Sequence, residues 1–347
     1  MITSSGSRLA SDAALPMSMN MLRGNRPLPV SDGLPTRSPF EGIWVPIVTP
    51  FRDGCVDFDA LQRLASELAK SGIHGLVVCG TTGEASHLDA GEQTAVLTAV
   101  REAVGPGYPV VMGISGSDTR AVASKIRSFS ERDIAGFLVS APGYVRPSQE
   151  GILLHFRAIA DATDRPIILY NIPSRTGVNI DLSTVIALAG DPQFVAIKES
   201  SGNIAQLADI INQTPLKVFS GDDTLILTTL CFGGHGAISA AAHIRPDLYV
   251  HLYNLVRTGR LEQTRAVFNQ LLPLIRLLFS EPNPAPIKAV LAMQGRICEE
   301  LRLPMTAVSQ TCRIKLAAAL EQVMAIPALS GTSGQCRSEM KRAEHAY

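Results

Sequence analysis

From Gly42 onward, short apolar runs alternate with amphipathic stretches. The runs read IWVPIVTP (43–50), HGLVVCG (74–80), PVVMGI (109–114), GFLVSAP (136–142), PIILYN (166–171), FVAIKES (194–200), LKVFSG (216–221) and AISAAA (237–242). Their apolar character is continuous rather than alternating, as a parallel sheet covered on both faces requires. Between them lie segments of helical period. In DALQRLASELAK (59–70), Leu61, Leu64, Ala65 and Leu68 fall at i, i+3, i+4 and i+7, one face of a helix. Cap-type residues precede several of these segments: Asp57 or Asp59, Asp89, Asp118, Ser148, Asp181 and Asn203. Eight strand–helix units in series predict an α/β fold, a closed (β/α)8 TIM barrel. The eighth run is short and is the weak point of this count.

After residue 245 the pattern becomes purely helical, over 245–256, 261–279, 287–301 and 309–324. The expected organisation is therefore a disordered N-terminal extension (1–40), a barrel (41–245), a C-terminal helical extension (246–326) and a flexible tail (327–347). Residues 1–40 are rich in Ser, Pro and Gly and carry no periodic apolar face. They contain no apolar core of a secretory signal, and their four arginines against two aspartates only faintly resemble an organelle transit peptide. Met17, Met19 and Met21 leave room for a later start.

Composition narrows the function classes. Among 347 residues, 31 basic side chains balance 31 acidic ones, so nothing electrostatic favours nucleic acid or an anionic membrane. No run approaches the roughly 20 apolar residues of a spanning helix. The six cysteines form no CxxC pair and the seven histidines no HExxH, which argues against a metal site. Reduced thiols, mostly buried or inert, and a cytoplasmic location are the expectation.

The candidate chemistry lies at strand ends, where barrels of this kind carry their sites. FVAIKESSG (194–202) ends an apolar strand with Lys198, and lysine is rarely buried without a partner. Alternation places Phe194, Ala196 and Lys198 on one face, Val195 and Ile197 on the other. Facing inward near the mouth, the Lys198 amine would enter a polar pocket where desolvation raises its neutral, nucleophilic fraction. A salt bridge to a neighbouring strand would also account for it. GTTGE (80–84) offers two hydroxyls and exposed N–H groups that suit a small carboxylate, though such turns often serve only as connections. Tyr170 can be a core phenol, and Arg175 either a carboxylate fork or a solvated side chain.

Together these segments resemble the dihydrodipicolinate synthase and N-acetylneuraminate lyase family of class I pyruvate-dependent aldolases. The resemblance runs from about Gly42 to about Met324. It rests on GLVVCGTTGEASHLDAGE (75–92), on YNIPSRTG (170–177) followed by IKES (197–200), and on SGDD (220–223), GGHGAIS (233–239), EPNPAPIK (281–288) and LRLPMT (301–306). It implies that Lys198 forms a Schiff base with pyruvate and that Thr81 and Thr82 bind the pyruvate carboxylate. Tyr170 would shuttle protons through Thr81 to Tyr144 of a neighbouring subunit. Arg175 would hold aspartate semialdehyde, and the carbonyls near Gly221 and Ile238 would orient substrate or proton transfer. The implied product is 4-hydroxy-tetrahydrodipicolinate, on the route to diaminopimelate and lysine. The implied assembly is a homotetramer, a dimer of dimers, with no metal or organic cofactor.

Some positions depart from the family pattern. Gly143 and Val145 stand where many synthases have Tyr and Asn; Ala85, Ala90, Gln93 and Ser117 replace polar or histidine residues usual in lysine-sensitive members. Weak or absent inhibition by lysine is therefore expected. AAHIRP (241–246) departs from a common Ala-Asn pattern near the pocket. A lyase or dehydratase acting on a 2-keto-3-deoxy sugar acid or related 2-oxo acid is the alternative within the family. A catalytically silent paralogue with a binding role is a remoter one.

Overall fold

A computed structural model describes residues 40–327. The expectations for residues 1–39 and 328–347 fall outside the described residues. Eight parallel strands close into a barrel: β1 (Gly42–Pro46), β2 (Gly75–Val78), β3 (Val110–Ile114), β4 (Gly136–Ser140), β5 (Ile167–Asn171), β6 (Phe194–Glu199), β7 (Lys217–Ser220) and β8 (Gly236–Ile238). Each pairs with its neighbours in sequence, and β8 pairs with β1 to complete the ring. The short eighth run thus forms a strand of three residues, enough for closure.

Two apolar layers follow from strand alternation. The inner one holds Trp44, Val77, Val111, Leu138, Ile168, Ala196, Phe219 and Ile238. Phe40 stacks on Trp44 at 5.9 Å between ring centroids, and Trp44 meets Phe219 edge-on at 6.3 Å. A Cβ on Gly75 would sit 2.5 Å from the Trp44 ring, so this wide side chain fits only because its strand neighbour has none. The outer layer seals the barrel against the helices.

The first helix (Phe58–Lys70) buries Ala60, Leu61, Leu64, Ala65 and Leu68, the stripe its period predicts. Burial of each leucine contributes about 1.5–3 kcal/mol. Asp57, not Asp59, caps it, accepting from the Ala60 N–H. Asp89, Asp118, Ser148 and Asn203 also cap through their side chains. Asp181 holds the N-cap position of its helix but makes no cap bond; one of its carboxylate oxygens accepts from Asn179 Nδ2 instead.

Two sequence expectations need correction. The strict alternation over 194–198 fails at its first step. Phe194 pairs with Ile167 and Ala196 with Ile168, so Val195 is a bulge. Phe194 therefore joins the outer layer, edge-on to Phe156, while Ala196 remains inside. The helix expected over 287–301 spans only Ala285–Met293. Gly295 adopts φ +70°, its N–H bonds the Ala292 carbonyl, and the Arg296 N–H bonds that of Leu291, a Schellman ending. The described cysteines are all free: Cys79 and Cys312 are buried, Cys55 and Cys231 exposed and Cys298 intermediate.

The remaining C-terminal helices (Pro246–Arg257, Leu261–Leu278 and Gln310–Met324) lie where the periodicity puts them. Arg302 ties the segment between the last two helices to the barrel mouth, donating to the Glu92 carboxylate and to the carbonyls of Gly54 and His87. No helix among the described residues is long and apolar enough to cross a membrane.

Candidate active site

At the carboxyl end of β6 the chain separates two neighbouring charges. Glu199 turns outward, where its carboxylate accepts from Asn171 Nδ2 at 2.9 Å and the Ser201 N–H at 2.6 Å. Lys198 turns inward and is 6% exposed. In the sheet register it lies directly opposite Tyr170 on β5, and its Nζ sits 4.3 Å from the centre of that ring. Among the described residues no carboxylate lies within ion-pair distance of it, so a salt bridge does not explain its burial. The room for its stem comes from Gly221. A Cβ there would fall 2.8 Å from Lys198 Cε and 2.0 Å from Ser200 Oγ.

Beside the lysine, the turn after β2 presents Thr81 and Thr82. It is closed by the Gly83 N–H to the Gly80 carbonyl and the Glu84 N–H to the Thr81 carbonyl, both at 3.1 Å. Two outside groups hold it. Thr49 Oγ1 donates to the Gly83 carbonyl at 2.7 Å, and Asn283 Nδ2 donates to Thr82 Oγ1 at 3.0 Å. Thr82 is buried, whereas Thr81 is half-buried and open to the cavity.

These groups line one hollow of two lobes, about 410 and 230 Å³, which share Thr81, Thr82, Tyr170, Arg175 and Lys198. Gly221 and Ile238 line the smaller lobe. Arg175, on a short helix that starts at Pro173, is exposed and borders both lobes. The arrangement sets an amine, a phenol, two hydroxyls and a guanidinium around a space fit for a small molecule with two carboxylates. Seven of the eight residues singled out in the sequence thus come together. Tyr144 does not: it is 93% exposed, has φ +69°, and is not among the residues lining the hollow of its own chain.

Sequence reasoning missed three contributors. Asp223, 3% exposed, lines the smaller lobe. Burial pushes its carboxyl up to about 6, opposed by hydrogen bonds from Ser239 Oγ and the Ala241 N–H and by the charge of Lys198. Its place in SGDD was visible, but nothing in the pattern distinguished it from Asp222. Asn283 and Lys288 lie more than eighty residues beyond the lysine strand; EPNPAPIK carries part of the family resemblance, but nothing in it singles out these two side chains. Lys288 is fully buried and pairs with Glu84. Burial pulls its ammonium below the ordinary range, and Glu84 opposes that shift.

Fold and site together define a (β/α)8-barrel enzyme with a lysine at the mouth of its sixth strand. The chain belongs to the dihydrodipicolinate synthetase family, whose sequence model matches residues 39–323. It is 41% identical over 283 residues to the 4-hydroxy-tetrahydrodipicolinate synthase of Thermodesulfovibrio yellowstonii, covering 81% of this chain and 97% of that protein. Similarity to the synthase of Chlorobium phaeovibrioides is equal, 41% over 80% and 95% of the two chains. Among solved structures it resembles dihydrodipicolinate synthase from Thermotoga maritima, with a TM-score of 0.81 and 34% identity over 83% of this chain and 99% of that one. The Cyanidioschyzon merolae enzyme with lysine bound matches with a TM-score of 0.80 and 34% identity, covering 83% and 99%.

Proposed function

We propose that this protein condenses pyruvate with L-aspartate 4-semialdehyde to 4-hydroxy-tetrahydrodipicolinate, the activity for which its relatives are named. The observation that carries the reading is the Lys198 amine, with no carboxylate partner among the described residues, held over the Tyr170 ring beside the Thr81–Thr82 turn. The amine attacks the pyruvate ketone carbon, water leaves, and an imine forms. Loss of a methyl proton gives an enamine, with the imine nitrogen taking up the electron pair. That carbon attacks the aldehyde, forming the new carbon–carbon bond. The amino group of the second substrate then adds to the imine carbon and displaces Lys198, which closes the ring and frees the enzyme.

Thr81 and Thr82 hold the pyruvate carboxylate, and Arg175 holds that of the semialdehyde. Tyr170 carries protons to and from the reacting carbons as a general acid–base. The carbonyls near Gly221 and Ile238 orient the second substrate. Tyr144 completes the proton path from a second copy of the chain, in a homotetramer built as a dimer of dimers and working in the cytoplasm. Support for the partner's role comes from the exposed Tyr144 ring and its left-handed backbone, a conformation costing of order 1 kcal/mol or more without compensation.

Incubation with pyruvate and borohydride, followed by intact mass, tests the lysine chemistry. A single reduced pyruvate adduct on Lys198 is expected, and none should form in Lys198→Ala. Adding aspartate semialdehyde and coupling to a dihydrodipicolinate reductase tests the second substrate. An adduct without coupled turnover would instead direct the reading to a 2-keto-3-deoxy sugar acid or related 2-oxo acid. Absence of any adduct would end both.

A further inference from the structure

The wall behind the Thr81–Thr82 turn contains a charge that the reaction does not use. Glu84 follows directly in the turn, at φ +52° and 2% exposed, and borders the larger lobe. One carboxylate oxygen faces His87 Nδ1 at 3.4 Å and the Arg302 N–H at 3.5 Å. The other is paired with Lys288 Nζ. Lys288 lies on the helix Ala285–Met293, is 0% exposed, donates to the Glu300 carbonyl at 2.9 Å and sits 4.2 Å above the Phe51 ring. Five residues earlier on the same segment, Asn283 grips the Thr82 hydroxyl. One stretch of chain, 283–288, therefore holds the turn at both its hydroxyl and its carboxylate.

Two buried charges are an expensive way to fix a turn, since an apolar pair of similar volume is often as stable or more so. Stability alone does not account for the pair. Its position does, because the turn must accept an anion. An unneutralised carboxylate at this wall would repel a substrate carboxylate across a medium that screens poorly. Glu84 in turn anchors His87 and the Arg302 segment. We infer that Lys288 is a positioning residue for pyruvate: acting through Glu84, it neutralises and fixes the turn so that Thr81 and Thr82 can bind the pyruvate carboxylate. This rests on the proposed function, and it goes further by assigning a determinant of pyruvate affinity on a helix outside the barrel proper.

The test compares Lys288→Met with the double variant Glu84→Gln/Lys288→Met, in the full chain. Lys288→Met removes the buried cation that faces the Glu84 carboxylate. It is expected to raise the pyruvate KM at least about tenfold, the effect of about 1.4 kcal/mol, while the KM for the aldehyde stays within about twofold. The double variant has no buried charge at the wall and should return the pyruvate KM to within about threefold of wild type. A purely structural pair would move both KM values together and gain nothing from the second substitution. An unchanged pyruvate KM in Lys288→Met, or a double variant no better than the single, overturns the inference. Should Lys288→Met fail to fold, Lys288→Gln, which keeps a hydrogen-bond donor but loses the charge, takes its place under the same criteria: a selective rise in pyruvate KM relieved by Glu84→Gln supports the inference, and no rise overturns it. Wild-type protein that traps no pyruvate would overturn the functional reading and this inference together, whereas normal trapping beside an unaltered Lys288→Met overturns only the latter.

Discussion

Lys198 and Tyr170 are register partners on adjacent parallel strands, and the lysine amine lies 4.3 Å from the centre of the tyrosine ring. On the proposed mechanism the amine forms the covalent bond to pyruvate, while the phenol hydroxyl serves the carbons that gain or lose a proton. Substituting each partner should therefore separate two steps. Lys198→Ala is expected to abolish the borohydride-trapped adduct altogether. Tyr170→Phe keeps the ring and should still form the adduct, with turnover reduced about 10²-fold or more. A Tyr170→Phe enzyme with wild-type turnover would remove the phenol from the proton path.

Gly221 is the second lever on the same amine. A methyl group there would overlap Ser200 Oγ and crowd the Lys198 stem at Cγ and Cε. The lysine must shift, because the neighbouring backbone is fixed by the Gly221 N–H bond to the Glu199 carbonyl at 2.8 Å. Gly221→Ala is expected to lose about 1–3 kcal/mol of stability through overpacking and to slow adduct formation at least tenfold. Circular dichroism melts together with trapping rates check this. A folded variant that traps pyruvate at the wild-type rate would show that the stem tolerates the change.

Acid should act on the fold through two buried groups of opposite sign. His243 is fully buried, contacts the Ala240 carbonyl through Nδ1 at 2.7 Å and accepts the Val48 N–H at Nε2. Burial pushes it down to about 4, and nearby Arg296 adds to that shift. Its folded value lies below the unfolded one, so its contribution is present above about pH 6.5 and is lost as pH falls toward 4, up to about 3 kcal/mol. Asp223, pushed up to about 6, does the reverse: the native state takes up its proton first, so acidification from about 6 to 4 favours folding. Urea unfolding between pH 4 and 7 should lose stability more steeply in Asp223→Asn than in wild type, and less steeply in His243→Gln. Parallel slopes in all three would refute the assignment.

The strand order, the closed barrel and the lysine were legible because they follow from local pattern. Continuous apolar runs have one physical solution when helices intervene, and Lys198 announced itself as a charge on a buried strand. The bulge at Val195 was not legible, since it depends on how β6 seats against β5 rather than on any residue type in the run. The early end of the 285–293 helix was written in Gln294-Gly295, a C-cap signal outweighed by the apolar residues around it. Asn283 and Lys288 were hidden for another reason: their partners, Thr82 and Glu84, lie about two hundred residues away. Only the closed fold brings them to one turn.

Lysine sensitivity is read at Gly143. A Cβ at this position would have only Thr176 Cα within 4 Å, at 3.9 Å, so the space a larger side chain would occupy stands open. The Gly143 carbonyl accepts from Ser117 Oγ at 2.7 Å, which leaves that hydroxyl engaged. If lysine were to bind where the family resemblance implies, it would find no ring at position 143 to pack on. Half-inhibition is expected no lower than about 1 mM lysine, equivalent to about 4 kcal/mol of binding. Titration of the purified enzyme at saturating pyruvate decides it, and half-inhibition below about 1 mM lysine would overturn the expectation.

Tyr144 makes the strongest demand on the proposed assembly, because its ring is almost fully exposed and does not line the hollow of its own chain. That loop is fixed: the Tyr144 N–H bonds the Thr176 carbonyl at 3.2 Å, and both Tyr144 and Arg146 hold positive φ. If the ring serves a second copy, two inactive chains can complement each other. A Tyr144→Phe subunit retains Lys198, and a Lys198→Ala subunit retains Tyr144. In a mixed dimer, one of the two sites then regains both groups. Co-expression of the two differently tagged chains, purified through both tags, should give up to about half of wild-type activity per dimer, far above either parent. Tyr144→Phe alone should lower turnover about 10²-fold while leaving the melting temperature and the pyruvate adduct intact. Mixed dimers no more active than the sum of their parents would place Tyr144 outside the reaction, and the proton path would then have to end within one chain.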